Sequence, residues 1–264
     1  MRSLVGRSFG RVIRPLLAIA LVLSAFQIAL VAAASSIMGD GDAGGLARLV
    51  PGFLQQSLGF ALLSFGGLTT LGFFDAIIVM IVVLFAIYLA SEPAGDVEAG
   101  FVDLVLARPL PRYWLITRSM LVMTSSTIGL MIVMGAALWL GLTWLAPARA
   151  TWPQPRIVMM MAGHLLMVSW SFGAAALAAS GWARRRGAAV GVVAVSGMAL
   201  YLLDFLATMW MPADRFARLS PFHYFHGGEI LAGTASTPRD LTTLGAIAIA
   251  FAVIAYWRFS KRDL

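Results

Sequence analysis

The chain has 264 residues, of which 60% are hydrophobic and 12% charged, and its formal net charge at pH 7 is +7. Soluble domains carry about 25% charged residues, and nearly every arginine here flanks an apolar run instead of forming a basic face. This distribution excludes an ordinary soluble domain and argues against a nucleic-acid-binding protein. No cysteine is present, so disulfide frameworks and cysteine nucleophiles are excluded as well. The composition predicts an all-α polytopic membrane protein.

The N-terminal segment 1–14 places arginines among apolar residues at helical spacing. This pattern predicts a short amphipathic helix on the membrane surface, followed by a first span. An arginine-rich start before an apolar run also resembles a cleaved signal peptide. The run at 15–38 is long for that purpose, and we interpret it as a retained span.

Six apolar stretches are predicted to cross the membrane, because roughly 20 apolar residues span a hydrocarbon core of about 30 Å. The intervening region 39–67 is apolar but broken by Gly and Pro, and we interpret it as a short helix at or dipping into the interface. One transmembrane domain then covers 1–264, with spans at about 15–38, 68–90, 119–146, 157–180, 188–210 and 241–258.

Lysine and arginine counts predict the orientation of these spans. Thirteen of the 19 lie in the two termini and in the connections 91–118 and 181–187, and six lie in the other connections. The positive-inside rule therefore predicts that both termini are cytoplasmic.

Residues 91–114 concentrate charge, since four of the chain's 12 carboxylates occur there. Pro93 and Gly95 are expected to end the second span. The next residues predict a short amphipathic cytoplasmic helix at about 97–107, because apolar side chains recur at i, i+4, i+7 and i+8, namely Val97, Phe101, Leu104 and Val105. The alternative is a solvated loop whose charges keep it out of lipid.

Three polar residues lie within the predicted spans, each about seven residues from the outer end: Asp75, His164 and Asp204. Such groups snorkel to the interface or hydrogen-bond a neighbouring helix, or they line a cavity open to the outside. The first interpretation is the simpler one, and both stay open.

The outer connection before the last span contains His223, His226 and Glu229 at i, i+3 and i+6. Gly227 and Gly228 interrupt any helix that would align them, so we predict no metal site here. The segment is interpreted as a re-entrant apolar hairpin at the membrane–water boundary.

A phosphate-binding loop of the kind that holds ATP is excluded by the lysine content. The single lysine, Lys261, lies near the C-terminus, whereas a phosphate-binding GxxxxGK[ST] loop needs a lysine within a glycine-rich turn. No GxSxG or HExxH motif is present either. Uphill transport would therefore need another subunit or an ion gradient.

The stretch EAGFVDLVLARPLPRYWLITRSML, residues 98–121, resembles the cytoplasmic segment of type-2 ATP-binding-cassette (ABC-2) permeases. In that family a Glu-x-x-Gly precedes a leucine-rich half turn and a Pro-x-x-Arg, and a lysine, for which this chain has Arg118, often lies near the start of the third span. The corresponding residues are Glu98, one residue closer to Gly100 than in the family, Leu104–Leu106, Pro109, Arg112 and Arg118. LSPFHYFHGGEILAG before the last span and the terminal RFSKRDL are also similar to the family, so the resemblance covers most of the chain.

This resemblance implies the permease subunit of an exporter in the bacterial cytoplasmic (inner) membrane. Such a subunit pairs with a second permease copy, as a homodimer or a paralogous heterodimer. It docks on a separate cytoplasmic ATPase subunit that binds ATP and Mg, so no cofactor is expected in this chain. The residues implied in coupling to that ATPase are Glu98, Gly100, Asp103, Leu104, Arg108, Pro109, Arg112 and, between the fourth and fifth spans, Arg185.

Two other functions stay open. A membrane-embedded enzyme, for example one acting on lipid, would need Asp75, His164 and Asp204 to meet. A gradient-driven carrier would need inverted repeats with broken helices, and no convincing repeat is seen. Spans rich in Ala, Leu, Val and Met favour a hydrophobic or amphipathic substrate over a sugar or an ion.

Overall fold

A computed structural model describes residues 2–38, 64–100, 113–233 and 237–261. Within these ranges the chain forms helices joined by turns, with no strand. In chain order they are α1 (Arg2–Met38), α2 (Phe65–Phe74), α3 (Ala76–Ala90), α4 (Glu92–Glu98), α5 (Tyr113–Leu145), α6 (Pro155–Ser180), α7 (Arg186–Ala207), α8 (Met211–Ala217), a 3-10 helix (Pro221–Tyr224), α9 (Gly227–Ala232) and α10 (Thr237–Ser260).

Six helical stretches of the described residues are long and apolar enough to cross a membrane: α1, α2 with α3, α5, α6, α7 and α10. The predicted all-α class with six spans is confirmed. We call the end of the bundle where α1 and α7 begin, where α4 lies and where α10 ends the arginine-rich end. The opposite end carries α8, the 3-10 helix and α9.

The first helix differs from the prediction of a separate surface helix. Instead, α1 runs without interruption from Arg2 to Met38 and contains Pro15. A proline removes one backbone hydrogen bond, but long membrane helices tolerate that loss because neighbouring groups and local adjustments compensate for it. The segment 2–14 is therefore continuous with the first span.

The second span is two helices, and Asp75 lies at the break between them. Its carboxylate accepts hydrogen bonds from the backbone N–H groups of Ile77, at 2.9 Å, and Ile78, at 3.4 Å. Asp75 is thus the N-cap of α3, and it satisfies donors that a helix start leaves unpaired.

α6 is the central helix of the bundle and packs against α3, α5, α7 and α10. α5 and α6 approach closely at Gly173, where a Cβ would overlap Sδ of Met123 on α5. The close approach lets α5 and α6 interlock through van der Waals contacts, which is how helices associate in lipid.

The opposite end is closed by α8, the 3-10 helix and α9, which form the segment interpreted as a re-entrant hairpin. Phe222 anchors it, with its ring centroid 4.9 Å from that of Phe172 on α6 and 5.4 Å from that of Tyr201 on α7. α9 begins at Gly227, where a Cβ would overlap the side chain of Phe74 at the end of α2. The segment is therefore packed against three of the spans.

The approach of α9 to α2 yields a stability prediction. Gly227→Ala should destabilise the protein by about 1–3 kcal/mol, because Phe74 has to move. Gly228→Ala is the matched control, since a Cβ there meets nothing within 4 Å, and it should change stability by less than about 0.5 kcal/mol. Thermal unfolding of the detergent-purified variants measures both, and equal midpoints would contradict the close contact.

Candidate functional site

α4 lies at the arginine-rich end, directly after the second span. Pro93, which was predicted to help end that span, instead occupies the first turn of α4. A proline is accepted there because the first backbone N–H groups of a helix have no partner within it. α4 ends at Glu98, and Gly100 follows with φ of 63°, a left-handed conformation that favours glycine.

A buried ionic cluster fixes α4 to the bundle. Glu92 and Asp96 are four residues apart, so they share one face of α4. Arg118 of α5 lies beside both, with Nη2 2.5 Å from Asp96 Oδ2 and 3.5 Å from Glu92 Oε1. All three side chains are less than 10% exposed.

Arg11 of α1 supplies a second positive charge, with Nη1 3.8 Å from Asp96 Oδ1, although its side chain is 54% exposed. The two carboxylates thus face two guanidinium groups. Buried charges are expensive to desolvate unless they are paired, so α4 is held in place by the need to keep Glu92 and Asp96 beside Arg118.

A second set of contacts joins α4 and the end of α3 to the start of α7. Glu98 Oε2 accepts a hydrogen bond of 2.9 Å from the backbone N–H of Arg186, the first residue of α7. A carboxylate is favoured there because a helix N-terminus carries partial positive charge. The Arg186 side chain donates to the Ser91 hydroxyl at 3.1 Å and to the Tyr88 carbonyl at 2.7 Å, and its guanidinium lies 4.0 Å from the centre of the Tyr88 ring.

The predicted coupling residues fall into two groups. Glu98 is exposed on α4, Gly100 forms the turn after it, and Arg185 is exposed at the N-cap position of α7. The others lie outside the described residues, together with most of the helix predicted at 97–107, and their role stays a prediction: Asp103, Leu104, Arg108, Pro109 and Arg112.

Sequence reasoning missed the buried character of this region. Glu92 and Asp96 were counted among charges around a cytoplasmic helix, and Arg186 was one of three basic residues in a connection. One available signal was the i, i+4 spacing of two carboxylates directly after an apolar span, with an arginine near the start of the next span. The partnership of Arg186 with Ser91 and Tyr88 had no local signal.

The three polar residues of the spans have separate partners. Asp75 caps α3. His164 is fully buried, with Nδ1 2.8 Å from the Met160 carbonyl oxygen, and its ring stacks on Phe225 at 6.1 Å. Asp204 Oδ1 lies 3.3 Å from Nδ1 of His223. None of the three is hydrogen-bonded to another, and their lining of a cavity stays a prediction.

A large apolar groove of about 790 Å³ runs between α6, α7 and α10. Trp182 lines it at the arginine-rich end, and Leu219 and Pro221 line it at the opposite end, so the groove extends along the bundle. Its walls are almost entirely apolar and include Phe172, Ala175, Ala179, Val193, Phe251 and Ile254. Of its serines, Ser171 donates to the carbonyls of Met167 and Leu244.

The fold and these sites define a multi-pass, all-helical membrane protein. Residues 62–260 match the family described as "Multidrug efflux system permease Rv1217c, C-terminal domain", and the chain belongs to this family. It is therefore a transport permease. The matched region contains five of the six spans as well as α4. No curated protein matches the chain significantly.

The ionic cluster predicts that replacing its buried arginine lowers stability more than replacing its half-exposed arginine. Arg118→Met leaves Glu92 and Asp96 without their buried partner and should cost about 3–5 kcal/mol of stability. Arg11→Ala removes a half-exposed partner of the same cluster and should cost at most about 1 kcal/mol. Thermal unfolding in detergent compares the two variants. Equal losses would show that Arg118 does not hold the cluster together.

Proposed function

We propose that the chain is the membrane-spanning subunit of an ATP-binding-cassette exporter. Energy comes from a separate ATPase subunit on the cytoplasmic side, and the cargo is hydrophobic or amphipathic. The observation that carries this proposal is the attachment of α4 to α1, α5 and α7 through Arg11, Arg118 and Arg186. A short helix bound to three spans suits the transfer of mechanical work from a partner.

The ionic contacts of α4 make it a rigid link. Its buried face is held by Arg118, while Glu98 is exposed and bonded to the first residue of α7. A force applied to α4 would therefore move α5 and α7 with it. This is the behaviour that a coupling helix needs.

The lysine content supports an external source of energy, because the only lysine is outside any glycine-rich turn. In this proposal that source is the ATPase partner. The arginine-rich end is the cytoplasmic end in this proposal, in accordance with the positive-inside rule. Both termini then lie in the cytoplasm, and the membrane is the bacterial inner membrane. A second permease copy completes the transporter.

The apolar groove is proposed as the path of the cargo's apolar part. α7 forms one wall, and only a small part of its surface is buried against the rest of the bundle. Since Glu98 binds the N-terminus of α7, displacement of α4 would shift this wall relative to α6 and α10 and change the width of the groove. The family name, which describes a multidrug efflux permease, supports a drug-like cargo.

The alternatives receive less support from the same geometry. An embedded enzyme acting on lipid was expected to bring Asp75, His164 and Asp204 together, but each is bonded to a different partner. A gradient-driven carrier was expected to place carboxylates near the middle of the bundle. The buried Glu92 and Asp96 instead lie at its arginine-rich end, paired with Arg118.

Glu98 supplies the test of coupling. The permease is isolated from native membranes with any ATP-binding subunit that copurifies, and substrate-stimulated ATP hydrolysis is measured. Glu98→Ala removes the acceptor for the Arg186 N–H and should lower stimulated hydrolysis several-fold with the complex intact. In Glu98→Gln the amide oxygen still accepts that hydrogen bond, so this variant should retain most of the stimulated ATP hydrolysis. Wild-type stimulation in Glu98→Ala would remove Glu98 from the coupling path, and absence of any ATPase subunit would overturn the proposed function.

The groove supplies a separate test of the cargo path. Val192 and Val195 lie on α7 and are 64% and 70% exposed, but only Val192 lines the groove. Val192→Trp should therefore reduce efflux of a hydrophobic fluorescent substrate, because the indole fills the groove, whereas Val195→Trp should not. Efflux from cells with equal amounts of each variant is measured. Equal efflux by the two variants would place the cargo elsewhere.

A further inference from the structure

Two of the chain's three histidines meet a carboxylate at the opposite end of the bundle. Asp204 is near the C-terminal end of α7, His223 belongs to the 3-10 helix, and His226 precedes α9. Among the described residues, these three form a group whose ligand atoms all lie within 4.8 Å of one another. The proposed transport function uses none of them.

The separation of the ligand atoms fits one metal ion. Tetrahedral zinc has bonds of about 2.0–2.2 Å, which set its ligand atoms roughly 3.4 Å apart. Asp204 Oδ1 and His223 Nδ1 are already 3.3 Å apart. The rings of His223 and His226 have centroids 5.6 Å apart and are nearly perpendicular, at 86°. One ring nitrogen of His226 lies within 4.8 Å of the ligand atoms of the other two residues, so it is the third ligand of the group.

Local structure fixes the 3-10 helix that carries His223 before any ion binds. The Ser220 hydroxyl accepts from the Phe222 N–H at 3.2 Å and caps the 3-10 helix, and Phe222 is buried. The Tyr224 hydroxyl donates to the Arg218 carbonyl at 2.9 Å. All three ligand residues are partly buried. A zinc ion held by three protein ligands takes water in its fourth position.

We propose that Asp204, His223 and His226 bind one divalent transition-metal ion of the zinc class. Two imidazole nitrogens and one carboxylate oxygen suit zinc, cobalt or nickel, whereas magnesium and calcium prefer oxygen ligands alone. The carboxylate is Asp204, not the Glu229 that sequence spacing places near the histidines. A bound ion would link the C-terminal end of α7 to the segment between α8 and α9.

The test uses the full chain without a polyhistidine tag, purified in detergent and freed of metal by a chelator. Co²⁺ is titrated with visible absorption as the readout, and Zn²⁺ by calorimetry. Wild type should bind one ion per chain, and Zn²⁺ should raise its unfolding midpoint. His223→Ala, His226→Ala and Asp204→Asn should each weaken binding by more than the 10–100-fold that is typical of outer-shell partners.

Glu229→Gln is the matched control, because Glu229 lies in α9 close to His226 in the chain but outside the proposed ligand set. This variant should bind the ion as wild type does. Size-exclusion profiles confirm that each variant is folded. The proposal is overturned if wild type binds no stoichiometric ion. It is also overturned if folded His226→Ala binds as tightly as wild type, or if Glu229→Gln abolishes binding.

Discussion

Arg118 lies buried between Glu92 and Asp96, and the arrangement of the arginine-rich end depends on that ionic contact. Two carboxylates less than 10% exposed need a positive partner, because an unpaired buried charge costs several kcal/mol. The same requirement holds α4 against α5 and leaves Glu98 in position to bind the first residue of α7. A charged helix that would otherwise be solvated becomes a fixed part of the helix bundle.

The position of α7 follows from this arrangement. Glu98 and the Arg186 side chain hold its beginning, and near its other end Asp204 contacts His223. Between these ends much of α7 is exposed to the surroundings, and one side of it forms a wall of the apolar groove. A helix held at its ends and lightly packed along its length is well suited to change the width of that groove.

Some of this was predictable from individual segments. The apolar runs predicted the six spans. The N-terminal helix and the first span were expected as separate helices, but α1 continues through Pro15, because a long helix accepts the loss of one backbone hydrogen bond. Asp75 was interpreted as a buried polar group with an open role, since apolar residues on both sides concealed the helix break that it caps. Glu229 was placed with the histidines by spacing, whereas Asp204 reaches them through the fold.

The sequence by itself determined the all-helical membrane class, the number of spans, the lack of an ATP-binding loop and the permease resemblance. These are properties of local windows: apolar length, arginine distribution and the presence or absence of a lysine. Tertiary structure alone decided the partners of the polar groups that bond between helices distant in the chain. Arg186 binds residues 95 and 98 positions earlier in the chain, and Ser171 binds a carbonyl 73 positions later. Such pairings depend on which helices pack together, and no local pattern records that.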